Sequence, residues 1–89
     1  MSNEARLSGY ARRSRLDEND ICIVFGGNVR RIRRAKNMSQ ETLAELADVH
    51  RTYVSGIERG SGRNPTIRAV AKIAKALGVN PCELLDEKE

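Results

Sequence analysis

Apolar residues recur every three or four positions between residues 21 and 32, which is the spacing expected for one face of an α-helix. Gly26 and Gly27 interrupt this pattern, and glycine destabilises a helix interior. We therefore expect the first firm helix to span residues 25–36, and residues 21–24 to form either an added turn or a short extended piece.

Two shorter helices follow, and local end signals define both of them. Ser39 is a favourable N-cap for a helix over residues 40–47, and Gly60 is a favourable stop for a helix over residues 51–59. Only residues 48–50 separate the two helices, which must turn sharply, and Asp48 tolerates the positive φ of such a turn. The predicted inward positions are Leu43, Ala44, Ala47, Val54 and Ile57.

Two further helices complete the pattern. Pro65 and Thr66 open a helix that runs to residue 77, where Gly78 ends it. Asn80 caps a short last helix over residues 81–86, in which Pro81 takes the first position and Glu83 supplies the carboxylate of a capping box. The predicted buried stripe of the fourth helix consists of Ile67, Val70, Ala71, Ala74 and Leu77.

The pattern as a whole predicts an all-α chain, because five helical segments follow one another and no segment alternates in the manner of a strand. The helices should pack as one compact bundle. We expect a flexible basic arm over residues 1–20, a helical domain over residues 21–86 and an acidic tail over residues 87–89.

The charge balance favours a polyanionic partner, although many small proteins share it. The 89 residues include 16 Lys and Arg against 12 Asp and Glu, and the isoelectric point is near 9.5. In the arm, Arg12, Arg13 and Arg15 could insert into a minor groove or belong to a plain disordered tail.

Other kinds of chemistry find little support. Cys22 and Cys82 lie far apart and His50 is the single histidine, so neither a zinc site nor a catalytic set of acid, base and nucleophile is predicted. We expect no metal, no cofactor, no small-molecule ligand and no enzymatic activity. No apolar stretch approaches the ~20 residues needed to span a membrane, so we expect no membrane partner and a cytoplasmic protein with reduced thiols.

The segment SQETLAELADVHRTYVSGIERG, residues 39–60, could let its second helix enter a DNA major groove. Together with VRRIR at residues 29–33, the Pro-Thr pair and IAKALGV at residues 73–79, it resembles the phage-repressor/Cro-type (XRE-like) helix-turn-helix family. Within that family, HRTYVSGIERGSGRN is similar to the controller proteins of restriction–modification genes. The resemblance covers residues 25–85 and implies a lambda-repressor-like bundle that regulates transcription as a homodimer on a (pseudo)palindromic operator.

Base contacts are expected from the third helix. Arg51, Ser55 and Arg59 are spaced by four and lie opposite the inward positions, with Thr52 and Gly56 beside them. An arginine at the start of a recognition helix could pair with guanine, and small residues would let the helix lie deep in the groove. We therefore assign base readout to Arg51, Thr52, Ser55 and Gly56. The alternative is that they form a solvated face.

The resemblance also implies a set of phosphate contacts. Gln40 holds the family's phosphate-binding position at the start of the second helix. His50 stands where the family usually has a Ser or Thr cap, so capping, phosphate contact or both are open to it. Tyr53 contacts phosphate or is a half-buried surface aromatic, and Arg59 contacts phosphate or complements the helix C-terminus. The remaining phosphate candidates are Arg63 and Asn64.

Two structural expectations complete the resemblance. Arg33 and Glu58 should form a partly buried ion pair that joins the first and third helices. Leu84 and Leu85, with Cys82 nearby, should form a dimer contact, unless the leucines only close the monomer core. Residues 21–25 are a second candidate dimer surface.

The competing hypotheses are an antitoxin, for which the arm could meet a toxin, and a protein-interaction module that keeps the fold without binding DNA. The module would carry acidic or bulky residues where Arg51, Thr52, Ser55 and Arg63 stand. Binding to RNA or single strands is disfavoured because three aromatic residues are too few for a stacking platform.

Overall fold

Five α-helices make up the described part of the chain. The computed structural model describes residues 20–60 and 64–87, and these residues form helices and connections without any strand, which confirms the all-α prediction. The arm arginines therefore lie outside the described residues. The helices are α1 (Asp20–Ala35), α2 (Gln40–Ala47), α3 (Arg51–Arg59), α4 (Ile67–Leu77) and α5 (Pro81–Leu85).

Four caps fix both ends of α2, the end of α3 and the start of α4. The Ser39 hydroxyl accepts a hydrogen bond from the backbone N–H of Thr42 at 3.0 Å, and the Thr66 hydroxyl accepts one from Ala69 at 3.0 Å. Asp48 ends α2 with a left-handed φ of 57°, and Gly60 ends α3 with a φ of 64°. Each cap bonds to backbone groups only a few residues away, so these helix ends could be predicted from the sequence.

Helix α1 runs without interruption from Asp20 through both glycines, so residues 21–24 form the added turn and not the extended piece. Gly26 is buried, and a Cβ atom placed there would lie 2.0 Å from the carbonyl oxygen of Ile57. The glycine therefore lets α1 and α3 approach backbone to backbone. Phe25 and Val29 are buried on the same side of α1, and their burial offsets the low helix propensity of glycine.

The buried stripe of α4 also differs from the prediction. Ile67 is 82% exposed and Ala71 is exposed, whereas Ile73 is fully buried. Val70, Ala74 and Leu77 are buried as expected. The stripe is therefore rotated about the helix axis, because α4 packs against α1, α2 and α5 along the side that carries Ile73.

The core lies where all five helices meet, and the buried side-chain amide of Asn28 connects α1 to the end of α5. Asn28 is 5% exposed, and its Nδ2 donates to the carbonyl oxygens of Leu84 and Asp86, both at 2.9 Å. The bonds attach the end of α5 to the middle of α1. The fully buried large side chains are Phe25, Val29, Leu43, Val54, Ile73, Leu77 and Leu84.

Candidate nucleic-acid interface

The turn between α2 and α3 is fixed by its backbone and by one apolar side chain. The backbone N–H of Val49 donates to the carbonyl of Ala44 at 3.0 Å, and the half-buried Val49 side chain packs against the core. His50 has the backbone conformation of an N-cap, and its carbonyl accepts from the N–H of Tyr53 at 3.0 Å. The orientation of α3 on α2 is therefore set within the chain.

The outer face of α3 carries three of the four predicted base-contacting residues. Arg51 and Thr52 are exposed, and Ser55 is half-buried on the same side. One further turn along, the exposed Arg59 donates from Nη1 to the Ser55 hydroxyl. This bond directs the guanidinium back along the helix surface, away from the last carbonyl groups of α3.

Gly56 does not belong to this outer face. It is buried with Val54 and Ile57 on the side of α3 that meets the rest of the bundle. Because a buried residue cannot touch a base edge, the prediction of base contact by Gly56 is wrong.

The predicted phosphate contacts that the structure describes occupy different environments. Gln40 is half-buried at the start of α2, and its Nε2 donates to Oε1 of Glu58 at 3.0 Å. His50 and Asn64 are exposed, and the His50 side chain makes no capping hydrogen bond, so its capping alternative is not realised. Tyr53 is half-buried and packs against the core, while Arg63 lies outside the described residues.

The predicted ion pair between α1 and α3 is present. Nε of Arg33 donates to Oε2 of Glu58 at 2.6 Å and Nη2 donates to Oε1 at 2.9 Å, with side chains 11% and 3% exposed. The Arg33 guanidinium also donates to the carbonyl of Met38 at 2.7 Å. The hydrogen bond with Glu58 raises the pKa of Arg33, and the charge of Glu58 raises it further against the opposing effect of burial.

Two basic residues beside the face were not singled out from the sequence. Arg68 and Lys72 are exposed on α4 and line a shallow groove together with His50 and Tyr53. They lie two and six positions after Thr66, the N-cap of α4. Because they are four residues apart, they share one face of α4, and helical spacing could have identified that basic face. They add positive charge next to the predicted phosphate contacts.

The predicted dimer contact is only partly available. Leu84 is fully buried inside the monomer, so its assignment to a dimer surface is wrong, because α5 needs that side chain to close the core between α1 and α4. Leu85 is 38% exposed and Cys82 is exposed, and both remain accessible. The other large apolar side chains exposed in the described residues are Ile23, Leu46 and Ile67.

The described residues offer little for other kinds of site. Within them, no group of three or more His, Cys, Asp or Glu side chains is placed to hold a metal ion. Among the helices of residues 20–60 and 64–87, none combines the length and apolar character needed to cross a membrane.

The comparisons with known proteins agree with this geometry. A family model described as helix-turn-helix matches residues 29–84. The control protein C.BamHI of Bacillus amyloliquefaciens is 56% identical over 69 residues, covering 76% of this chain and 84% of that protein. The control protein C.SmaI of Serratia marcescens is 42% identical over 66 residues, covering 74% of this chain and 77% of that protein.

A solved structure gives the same result. The restriction-modification controller protein C.AhdI from Aeromonas hydrophila superposes with a TM-score of 0.68 at 46% sequence identity, covering 71% of this chain and 94% of that chain. The chain therefore belongs to the helix-turn-helix family of DNA-binding transcription regulators, and restriction-modification controller proteins are among its relatives.

Proposed function

We propose that the chain binds a specific double-stranded DNA operator as a homodimer and regulates transcription in the manner of a restriction-modification controller. This proposal rests on the difference between the two sides of α3. Its inner side is fixed by Val54, Ile57 and Glu58, while its outer side presents Arg51 and Thr52 to solvent. A rigid helix with exposed, donor-rich side chains is what major-groove recognition requires.

Base recognition is assigned to the first turn of α3. Arg51 can donate two hydrogen bonds to the O6 and N7 atoms of guanine, a contact that discriminates by about 1–3 kcal/mol. Thr52 offers a methyl group to thymine and a hydroxyl to other bases. Ser55 is short enough to let the helix enter the groove.

Phosphate binding is assigned to residues that border α3. The candidates are Gln40 at the start of α2 and the exposed His50 and Asn64, with Tyr53, Arg59 and Arg63 completing the set of phosphate contacts expected from the sequence. Arg68 and Lys72 on α4 extend the positive surface. These contacts position the helix in the groove, and their effect on affinity depends on salt because they displace counterions.

We infer a homodimer from the short reach of one recognition helix. A single short helix reads only a few base pairs, whereas a two-fold dimer reads two half-sites about 34–36 Å apart. Leu85 and Cys82 on α5 are the accessible residues of the predicted contact. The exposed Ile67 at the start of α4 is a further apolar residue that a second copy could cover.

The test is selection from a random pool of duplex DNA by the wild-type chain, followed by titration of the selected duplex with variants. We expect wild type to select a palindromic site. Arg51→Ala should lose the selected preference and keep only weak, salt-sensitive binding. Arg30→Ala, an exposed arginine on α1, is the matched control and should retain the preference.

The alternative functions predict other results. If wild type selects no sequence and binds no duplex at moderate salt, the proposal fails and a protein-interaction module or an antitoxin becomes the better explanation. The exposed basic and hydroxyl side chains of α3 argue against that module, because a protein contact would not need Arg51 and Thr52 at the groove-facing positions.

A further inference from the structure

We propose that Glu58 is a positioning residue for DNA recognition, because its carboxylate holds the amide of Gln40 at a fixed place relative to α3. This inference rests on the proposed function, in which Gln40 contacts a phosphate and α3 enters the groove. It assigns to the ion pair of Arg33 and Glu58 a role beyond joining two helices.

The carboxylate of Glu58 is bonded at both of its oxygens. It accepts two hydrogen bonds from Arg33, at 2.6 and 2.9 Å, and its side chain is only 3% exposed. A bidentate arginine pair fixes both oxygens in one plane. An acceptor held in this way can orient a third group.

Gln40 is that third group. Its Nε2 donates to Oε1 of Glu58 at 3.0 Å, the same oxygen that accepts from Nη2 of Arg33. An amide nitrogen carries two hydrogens, and the bond to Glu58 uses one of them. The second hydrogen remains in a defined direction, and the half-buried position leaves part of the side chain accessible to DNA.

The bond has two consequences for DNA binding. Gln40 does not need to lose side-chain freedom when DNA arrives, because Glu58 has already restricted it. In addition, Glu58 lies on α3, so the phosphate donor and the base-contacting helix share one rigid frame. Arg33 holds the start of α2 from the other side through the carbonyl of Met38, which keeps this frame intact.

The experiment is a double-mutant cycle on the duplex that wild type selects from a random pool. The variants are Glu58→Gln, Gln40→Ala and the double variant, all titrated at a temperature where unfolding curves show them folded. Glu58→Gln removes the charge and leaves a single acceptor oxygen, for which Arg33 and Gln40 compete, so it should weaken binding about tenfold when residue 40 is Gln. It should weaken binding little further in the Gln40→Ala background, because the positioned group is already gone.

A purely structural role for Glu58 predicts a different cycle. If Glu58→Gln weakens binding by the same factor in both backgrounds, the positioning role is overturned while the proposed function stands. If wild type selects no duplex, both fail. Should Glu58→Gln not fold, Glu58→Asp replaces it in the same cycle, since it keeps the charge opposite Arg33 but withdraws the oxygens from Gln40 by one carbon.

Discussion

The inner side of α3 makes its contacts within the monomer, whereas the outer side faces solvent. On the inner side, Ile57 lies against Gly26 of α1, and Glu58 is paired with Arg33 and Gln40. On the outer side, Arg51 and Thr52 face solvent. The inner side is therefore a finished contact within the monomer, whereas the outer side is a surface that a partner could complete.

This difference separates stability from recognition within nine residues. Substitutions on the inner side should change the free energy of unfolding. Apart from Glu58, which also positions Gln40, these residues should affect DNA binding only through the fold. Substitutions on the outer side should change DNA binding at constant stability. Four substitutions test the division.

Arg33→Ala should have the largest effect. It leaves the Glu58 carboxylate 3% exposed without its cation, and removing one partner of such a pair costs about 3–5 kcal/mol. Small domains have only about 5–15 kcal/mol of stability in total, so the variant should be close to unfolded. Urea unfolding followed by circular dichroism measures the change.

Arg34→Ala is the matched control, since Arg34 is the exposed next residue of the same helix and should change stability by less than about 0.5 kcal/mol. The pKa of Arg33 is raised in the folded state, so its stabilisation is fully present below its ordinary pKa and is lost only as pH rises through the raised value. The gap between the two variants should therefore persist at pH 9. Equal urea midpoints would show that the pair stabilises nothing.

Gly26→Ala should be the next most damaging change. Its Cβ would lie 2.0 Å from the Ile57 carbonyl oxygen, so α1 and α3 must separate, and such overpacking costs about 1–3 kcal/mol. Gly27→Ala is the control, because a Cβ there meets nothing within 4 Å and should raise helix stability by about 0.5–1 kcal/mol. Thermal unfolding of both variants should move in opposite directions; a shift of the same sign would contradict the close approach.

This pair of glycines shows what the sequence could reveal and what it could not. The ends of α2 and α3 were predictable, because Ser39, Asp48 and Gly60 bond to backbone groups only a few residues away. The continuity of α1 was not, because the need for Gly26 arises from Ile57, which is distant in the sequence. Local rules therefore found every helix but left the start of α1 open between two alternatives, because its Gly26 serves a tertiary contact.

The same distinction explains the errors on faces. Two stripes of α4 share Val70, Ala74 and Leu77, and periodicity alone does not decide whether Ile67 or Ile73 completes the buried one. The ion pair and the exposed Arg51 were predictable because they follow from the family resemblance as well as from position. The hydrogen bond from Gln40 to Glu58 could not be predicted from the sequence, because it joins the start of α2 to the end of α3.

On the outer side, Arg51→Lys should separate specificity from affinity. Lysine keeps the positive charge but lacks the planar fork that pairs with guanine, so discrimination at one base-pair position should fall by about 1–3 kcal/mol. Binding to random duplex and the urea midpoint should stay at wild-type values. Competition titrations against single-base variants of the selected site measure the loss, and a uniform loss over all positions would instead make Arg51 a phosphate contact.

Arg59→Ala should have the smallest effect, and it tests where the outer face ends. Its guanidinium is bonded to Ser55, one turn back along α3 and away from the last turn's carbonyl groups, so we expect a phosphate contact. Loss of one such contact should weaken binding to all sequences alike and reduce the slope of log K against log[salt] by about 0.9. Ser55→Ala, which removes the acceptor but keeps the cation, should leave that slope closer to the wild-type value. If Arg59→Ala instead lowers stability by about 0.3–1 kcal/mol with an unchanged slope, the arginine complements the helix C-terminus, and the recognition surface stops one turn earlier.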